Sequence, residues 1–88
     1  MAKPANTICW SRKSLRQIRK LPMSDARTIY REVTQLQEFP DCQNVKRLAD
    51  HQYQYRLRVG QFRVLFNYDG DVRIVSIEEI KRRDENTY

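Results

Sequence analysis

Three arginines are spaced so that their side chains could meet on one phosphate group. Arg56 and Arg58 lie two residues apart, and Arg63 follows a short turn signal at Gly60-Gln61. Side chains two apart in a strand share a face, and a hairpin brings the next strand alongside. Each guanidinium is permanently charged and can match two phosphate oxygens. The spacing therefore predicts a phosphate-binding cluster, against the alternative of a solvated outer face on a half-buried sheet.

The end of the chain adds further candidates. Arg82 and Arg83 would join the cluster if the segment after the last strand folded back toward the sheet. Tyr88 is either a frayed terminal residue or an aromatic that stacks on a nucleobase beside the arginines. Such a density of positive charge exceeds what a structural role requires, and this favours binding of an anion.

Conventional acid–base groups are scarce. Histidine is the commonest general base, but His51 lies in a polar loop without an evident orienting partner, so an exposed loop residue is the expectation. Glu78 and Glu79 are expected to form structural ion pairs with Arg82 or Arg83, with a carboxylate base as the alternative.

The overall charge agrees with an anionic partner. The 88 residues include 17 Lys+Arg and 11 Asp+Glu, which gives a net charge of +6. A basic surface attracts phosphate backbones, acidic proteins or anionic lipid. A chain this short leaves no room for a second domain or an enclosed cofactor cavity, so residues 1–88 are expected to form a single domain without a cofactor.

Cysteine and histidine are too few for a disulfide framework or a zinc site. Cys9 and Cys42 are the cysteines, no CxxC pair occurs, and His51 is the single histidine. No metal site is therefore expected, and both thiols are expected to be free and buried. No apolar run approaches the length of a membrane span, and a cytoplasmic location is expected.

Hydrophobic periodicity places two helices after a first strand. Residues 6–10 read as a strand, and Ser11 as the N-cap of a short amphipathic helix that Pro22 ends. A second helix is expected from Ser24 to about Phe39. The outer side of the first helix is strongly basic and is expected to attract phosphate backbones at Arg12, Lys13, Arg16, Arg19 and Lys20.

The period then changes to that of strands. Residues 40–52 read as a loop anchored by Val45 and Leu48, followed by alternating segments at 53–59, 62–68 and 71–80. In the last segment Ser76, Glu78 and Ile80 are assigned to one face, although the alternation is less clean. The expected fold is α+β, in the order βααβββ, with an antiparallel sheet packed on an N-terminal helical hairpin.

The segment from Tyr55 to Phe66, YRLRVGQFRVLF, together with the basic tail, resembles the RelE/ParE superfamily of bacterial toxins. The residues 45–48, VKRL, ahead of the meander extend the resemblance. The superfamily divides into RelE-like endonucleases that act on messenger RNA at the ribosome and ParE-like gyrase poisons. The RelE-like pattern is filled at five positions, by Arg56, Arg58, Arg63, Arg82 and Tyr88.

The resemblance implies a microbial-RNase-like fold and a metal-independent endoribonuclease that leaves a 2′,3′-cyclic phosphate. It assigns the phosphate to Arg56, Arg58 and Arg63, the leaving 5′-oxygen to Arg82 and base stacking to Tyr88, with Lys81 and Arg83 as further RNA contacts. The strand pair is lysine in the pattern but arginine here, and arginine does not lose its proton. The general base therefore stays open between an arginine-bound hydroxide, Glu78, Glu79 and a ribosomal RNA group.

The resemblance also implies partners. These are the ribosomal A site with its 16S rRNA, the translated mRNA, and a cognate antitoxin whose binding segment should be acidic against a +6 chain. The complex would bind its own operator DNA through the antitoxin. The alternatives are a ParE-like gyrase inhibitor and a catalytically silent module that binds antitoxin or nucleic acid.

Overall fold

A computed structural model describes residues 5–82 of the chain. The elements are β1 (Thr7–Trp10), α1 (Arg12–Arg19), α2 (Met23–Thr34) with a 3-10 turn at Gln35–Glu38, β2 (Val45–Arg47), β3 (Tyr55–Val59), β4 (Phe62–Asp69) and β5 (Ile74–Arg82). The expected α+β class and the order of the main elements are confirmed. In the described residues, no helix is long and apolar enough to cross a membrane.

The sheet differs from the expected one at both edges. Its strand order is β1-β5-β4-β3-β2, and β3, β4 and β5 form the expected antiparallel meander. β1, however, pairs parallel to β5, so the sheet is mixed rather than wholly antiparallel. Val45–Arg47, expected as loop, forms the edge strand β2 against β3. Three residues are too few for periodicity to reveal a strand, and only pairing with β3 makes one.

One face of the sheet carries the core. Leu57, Val64, Phe66, Val75 and Ile77 are fully buried. They pack beneath the apolar stripe of α2 and α1, whose members are Ile18, Ile29, Val33 and Leu36. The apolar residues of the strands and those of the helices therefore pack against each other in one interface. The alternate strand residues lie on the other side of the sheet, which we call the outer face.

Beyond the end of β1, side chains of the short helix α1 form hydrogen bonds with main-chain groups of β5. Ser11 caps the helix by accepting a hydrogen bond from the Ser14 N–H at 3.0 Å. The Ser14 hydroxyl donates to the Ile77 carbonyl at 3.0 Å, and the Gln17 side-chain oxygen accepts from the Ile80 N–H at 2.7 Å. Side chains of α1 thus satisfy strand groups that no neighbouring strand reaches.

A β-bulge divides β5 into two parts. Leu65 stands opposite Glu79 but Phe66 stands opposite Ile77, so Glu78 is an extra residue on β5. One extra residue reverses the face of every side chain beyond it. Ile77 and Ile80 are consequently both buried, although they are three residues apart. The expected grouping of Ser76, Glu78 and Ile80 on one face is wrong, because it assumed unbroken alternation.

The turn after α2 is fixed to the sheet by one buried side chain. Asn6 is 7% exposed; its amide donates to the Leu36 carbonyl at 3.2 Å and to the Phe39 carbonyl at 2.9 Å, and its oxygen accepts from the Tyr68 hydroxyl at 3.0 Å. Two carbonyls of the turn and one hydroxyl of β4 thus depend on a single amide.

Replacing Asn6 with alanine is expected to lower the free energy of unfolding by about 2–3 kcal/mol, because it leaves buried acceptors unpaired. Urea denaturation measures the loss. Tyr68→Phe removes one of these bonds and is expected to cost about 1 kcal/mol. Equal stability of the Asn6→Ala variant and the parent chain would contradict the anchoring role.

Candidate functional site

The expected arginine cluster forms on the outer face. Arg58 stands directly opposite Arg63, and Arg63 stands directly opposite Lys81. We call Arg58, Arg63 and Lys81 the cation row. Arg56 lies on the same face two residues from Arg58, and Lys46 of β2 stands opposite it. Side chains directly opposite in a sheet have Cβ atoms about 5 Å apart, so like charges there repel unless an anion lies between them.

The centre of the cation row is buried. Arg63 is 8% exposed, and its Nη1 donates only a long hydrogen bond of 3.4 Å to the Phe62 carbonyl. The buried Nε atoms of Arg63 and Arg56 have no hydrogen-bond partner in the described part of the chain. A buried guanidinium without an anion costs several kcal/mol. The arrangement is therefore one that an anion with several oxygens would stabilise.

The carboxylate of Glu79, next to the cation row on the outer face, pairs with two lysines. The Glu79 carboxylate lies 3.4 Å from the Lys13 ammonium and 4.0 Å from that of Lys81, with 13% of its side chain exposed. Among the described residues Glu79 pairs with two lysines, where pairing with Arg82 was expected; Arg83 lies outside those residues. Lys13 reaches this face from α1, and Glu79 holds Lys81 beside Arg63.

Arg82 does not join the cation row. It pairs with Phe62, which faces the helices, and its guanidinium carbon lies 5.2 Å from the centre of the Phe62 ring. It borders a cleft that also includes Asp25 of α2. The expected convergence of Arg82 with Arg63 is therefore wrong in this conformation. The bulge at Glu78 is the reason, because it turns Lys81 outward and Arg82 toward the helices.

The remaining predicted residues lie in separate places. Arg12, Arg16 and Arg19 line one shallow surface of α1 with Leu15, while Lys20 borders a cleft beside Arg82. Arg83 and Tyr88 lie outside the described residues. Sequence reasoning missed the placement of Lys81 in the row, and it missed Lys46 because β2 was read as loop.

Other reactive side chains are engaged elsewhere. The Nδ1 atom of His51 accepts from the Tyr53 N–H at 3.0 Å, as part of a local turn. Trp10 packs against the core with its ring 5.0 Å from that of Tyr30. Cys9 and Cys42 are free thiols, but Cys9 is exposed and Cys42 only half-buried, so the expected burial of both is wrong. Burial, together with the neighbouring Asp41, raises the pKa of Cys42. A raised pKa makes this thiol a poor nucleophile at neutral pH.

Comparison with known proteins was informative at the level of structure. No protein-family model and no curated protein matches the chain. Among solved structures, a chain of the archaeal RelE–RelB complex from Pyrococcus horikoshii is 18% identical, with a TM-score of 0.78 over 93% of this chain and 99% of that one. A chain of the RelBE2 toxin–antitoxin complex from Mycobacterium tuberculosis is 21% identical, with a TM-score of 0.77 over 90% and 99%.

The isolated Escherichia coli RelE toxin gives the same result, with 13% identity and a TM-score of 0.77 over 93% of this chain and 88% of that one. The coverage extends over nearly the whole of both chains in each comparison, while few side chains are shared. The chain therefore has the fold of the RelE toxins.

Proposed function

We propose that the protein is the toxin of a type II toxin–antitoxin system, an endoribonuclease of the RelE kind that cleaves messenger RNA on the ribosome. The observation that carries the proposal is the buried guanidinium of Arg63 in the cation row, whose Nε has no hydrogen-bond partner within residues 5–82. A phosphodiester supplies the negative charge and the oxygen acceptors that this row lacks.

In the proposed reaction the ribose 2′-hydroxyl gives its proton to a base, which is an arginine-bound hydroxide, the carboxylate of Glu78 or Glu79, or a ribosomal RNA group. The 2′-oxygen attacks the adjacent phosphorus, and the bond from phosphorus to the 5′-oxygen breaks. The products are a 2′,3′-cyclic phosphate and a 5′-hydroxyl. Arg56, Arg58 and Arg63 stabilise the extra charge on the phosphorane, and each donor of this kind contributes about 10²–10³ in rate.

Lys81 takes the role that the resemblance gives to Arg82. An ammonium can transfer a proton, whereas a guanidinium practically cannot. Lys81 stands directly opposite Arg63 and pairs with Glu79 at 4.0 Å. We assign it the proton that the leaving 5′-oxygen receives.

The basic surface of α1 suits attraction to ribosomal RNA. Arg12, Arg16 and Arg19 lie on one side of the helix, away from the cation row, and all are exposed. Charges on such a surface raise the rate of encounter with a polyanion without touching the reacting phosphate.

Changing Arg16 and Arg19 together to glutamine is expected to weaken ribosome binding and to lower the slope of log affinity against log salt concentration by about 1.5, because two phosphate contacts are lost. Sedimentation with ribosomes over a salt series measures the slope. The exposed pair Arg27 and Arg31 on α2, changed in the same way, provides the control. Equal slopes for both double variants would show that α1 has no special part in binding.

The proposed partner is an antitoxin encoded with the toxin. The Pyrococcus and Mycobacterium structures are of RelE–RelB and RelBE2 complexes. For this chain we propose an antitoxin with an acidic segment that covers the cation row, and a complex that binds operator DNA through the antitoxin. The toxin would act in the bacterial cytoplasm, where translating ribosomes are found.

Induction in bacterial cells tests the proposed function directly. The 5′ ends of messages and the integrity of chromosomal DNA are mapped in the same cultures. Cuts within translated frames and intact DNA are expected. Double-strand breaks with intact messages would instead identify a gyrase poison, and normal growth would identify a silent binding module.

A further inference from the structure

The end of the outer face opposite the cation row is built from amides. Gln54 lies just before β3 and bonds to Asn67 of β4, and Ser76 stands directly opposite Asn67 on β5. Together with Gln52, Asp69 and Asp71 they line a groove of about 550 Å³. We call this the amide groove.

Main-chain hydrogen bonds fix how the two amides are turned. The Asn67 side-chain oxygen accepts from the Gln54 N–H at 2.8 Å, and the Gln54 side-chain oxygen accepts from the Tyr68 N–H at 2.8 Å. Each oxygen is therefore committed to the β3–β4 hairpin. The NH₂ groups have no partner in the described part of the chain, so the groove holds two oriented hydrogen-bond donors.

Two donors in one groove suit a base edge that presents two neighbouring acceptors. Guanine presents O6 and N7, two neighbouring acceptors, whereas adenine presents N7 beside an N6 donor. An amide that reads adenine uses its oxygen as well as its NH₂ group, and here both oxygens are occupied by main-chain groups. The groove is therefore complementary to guanine and a poor match for adenine.

The groove lies within reach of an RNA strand held by the cation row. Asn67 follows Arg63 by four residues on β4, which corresponds to about 13 Å along a strand. Asp69 and Asp71 border the groove and repel phosphate, so the backbone is favoured at the arginine end and a base at the amide end. Single-stranded RNA is commonly read in this way, through splayed bases hydrogen-bonded on their edges.

We propose that the amide groove is a nucleobase subsite that selects guanine over adenine at a fixed position next to the cleaved phosphate. This inference rests on the proposed endoribonuclease function and adds a sequence preference encoded by Gln54 and Asn67. Two correctly placed donors are expected to give guanine an advantage of about tenfold or more.

Asn67→Asp is the decisive substitution, since one carboxylate oxygen can still accept from the Gln54 N–H while the other replaces the NH₂ donor by an acceptor. Ribosomes programmed with messages that differ only in guanine or adenine at each position near the cut provide the substrates. We expect the guanine-to-adenine ratio of kcat/KM at one position to fall at least about tenfold. Gln54→Glu makes the same exchange from β3 and is expected to have the same effect should the first variant fail to fold.

The substitution also adds a negative charge, which changes kcat/KM for the guanine and adenine messages alike. The guanine-to-adenine ratio of kcat/KM therefore reports base recognition and not the added charge. Gln61→Glu places the same charge in the exposed turn at the other end of the β3–β4 hairpin and is expected to leave the ratio unchanged. A uniform loss of rate in both amide variants would overturn the subsite while leaving the nuclease intact. Absence of cleavage by the parent chain would overturn the proposed function and the subsite together.

Discussion

Arg63→Met is expected to reduce message cleavage by about 10²–10³ while leaving the fold at least as stable as before. The loss follows from the central position of Arg63 between Arg58 and Lys81 in the cation row. The stability follows from burial: methionine fills a similar apolar volume, and removal of a buried charge that has no acidic partner among the described residues is neutral or stabilising, by up to about 2 kcal/mol. Mapped message ends and urea denaturation measure the two quantities.

The two effects together separate a functional arginine from a structural one. Arg31→Met provides the control, because its side chain is 72% exposed on α2 and forms only a 3.9 Å pair with Glu32. We expect that variant to retain both cleavage and stability, since exposed ion pairs contribute little. A large loss of stability in Arg63→Met would indicate that Arg63 supports the fold, and retained cleavage would remove the row from the mechanism.

Lys81→Met is expected to cost more activity than Arg82→Met, about 10² against less than tenfold. Lys81 faces Arg63 across β4 and β5, whereas Arg82 stacks on Phe62 on the helix side of the sheet. Cleavage rates of the two single variants on programmed ribosomes measure the difference. The resemblance alone predicts the reverse order, with Arg82 as the more important residue.

Lys81→Arg provides a sharper form of this comparison. It keeps the charge in the row but removes a group that can release a proton. If Lys81 protonates the leaving oxygen, this variant should bind ribosomes like the parent chain and cleave slowly. Equal cleavage rates of the parent chain and Lys81→Arg would limit Lys81 to an electrostatic role. A greater loss of cleavage in Arg82→Met than in Lys81→Met would show that Arg82 turns to the outer face on the ribosome.

Several features could be predicted from local sequence. The first helix begins where Ser11 was expected to cap it, and the alternation of Arg56 and Arg58 with buried neighbours places both on the outer face. The Gly60 turn has a φ of 54°, a left-handed value that glycine adopts readily, and it joins the two strands that carry Arg58 and Arg63. Each of these features depends on residues a few positions apart, which a sequence pattern records.

The errors have a different origin. β2 exists because Val45–Arg47 meets β3, and Lys13 reaches the site because Glu79 lies within 3.4 Å of it in the folded chain. The amides of Gln54 and Asn67 acquire a fixed direction only when the hairpin closes. No spacing along the chain encodes these contacts, because their partners are distant in sequence or are main-chain groups.

The sequence by itself therefore determined the fold class, the basic character of α1 and the three arginines that share one sheet face. Tertiary structure decided which late cation completes the row. A single extra residue, Glu78, reverses the direction of the side chains that follow it on β5. Ile80 is therefore buried, and Lys81 instead of Arg82 stands opposite Arg63 on the outer face. The physical reason is that strand alternation is a local rule with a period of two, whereas a bulge is set by how two strands pair.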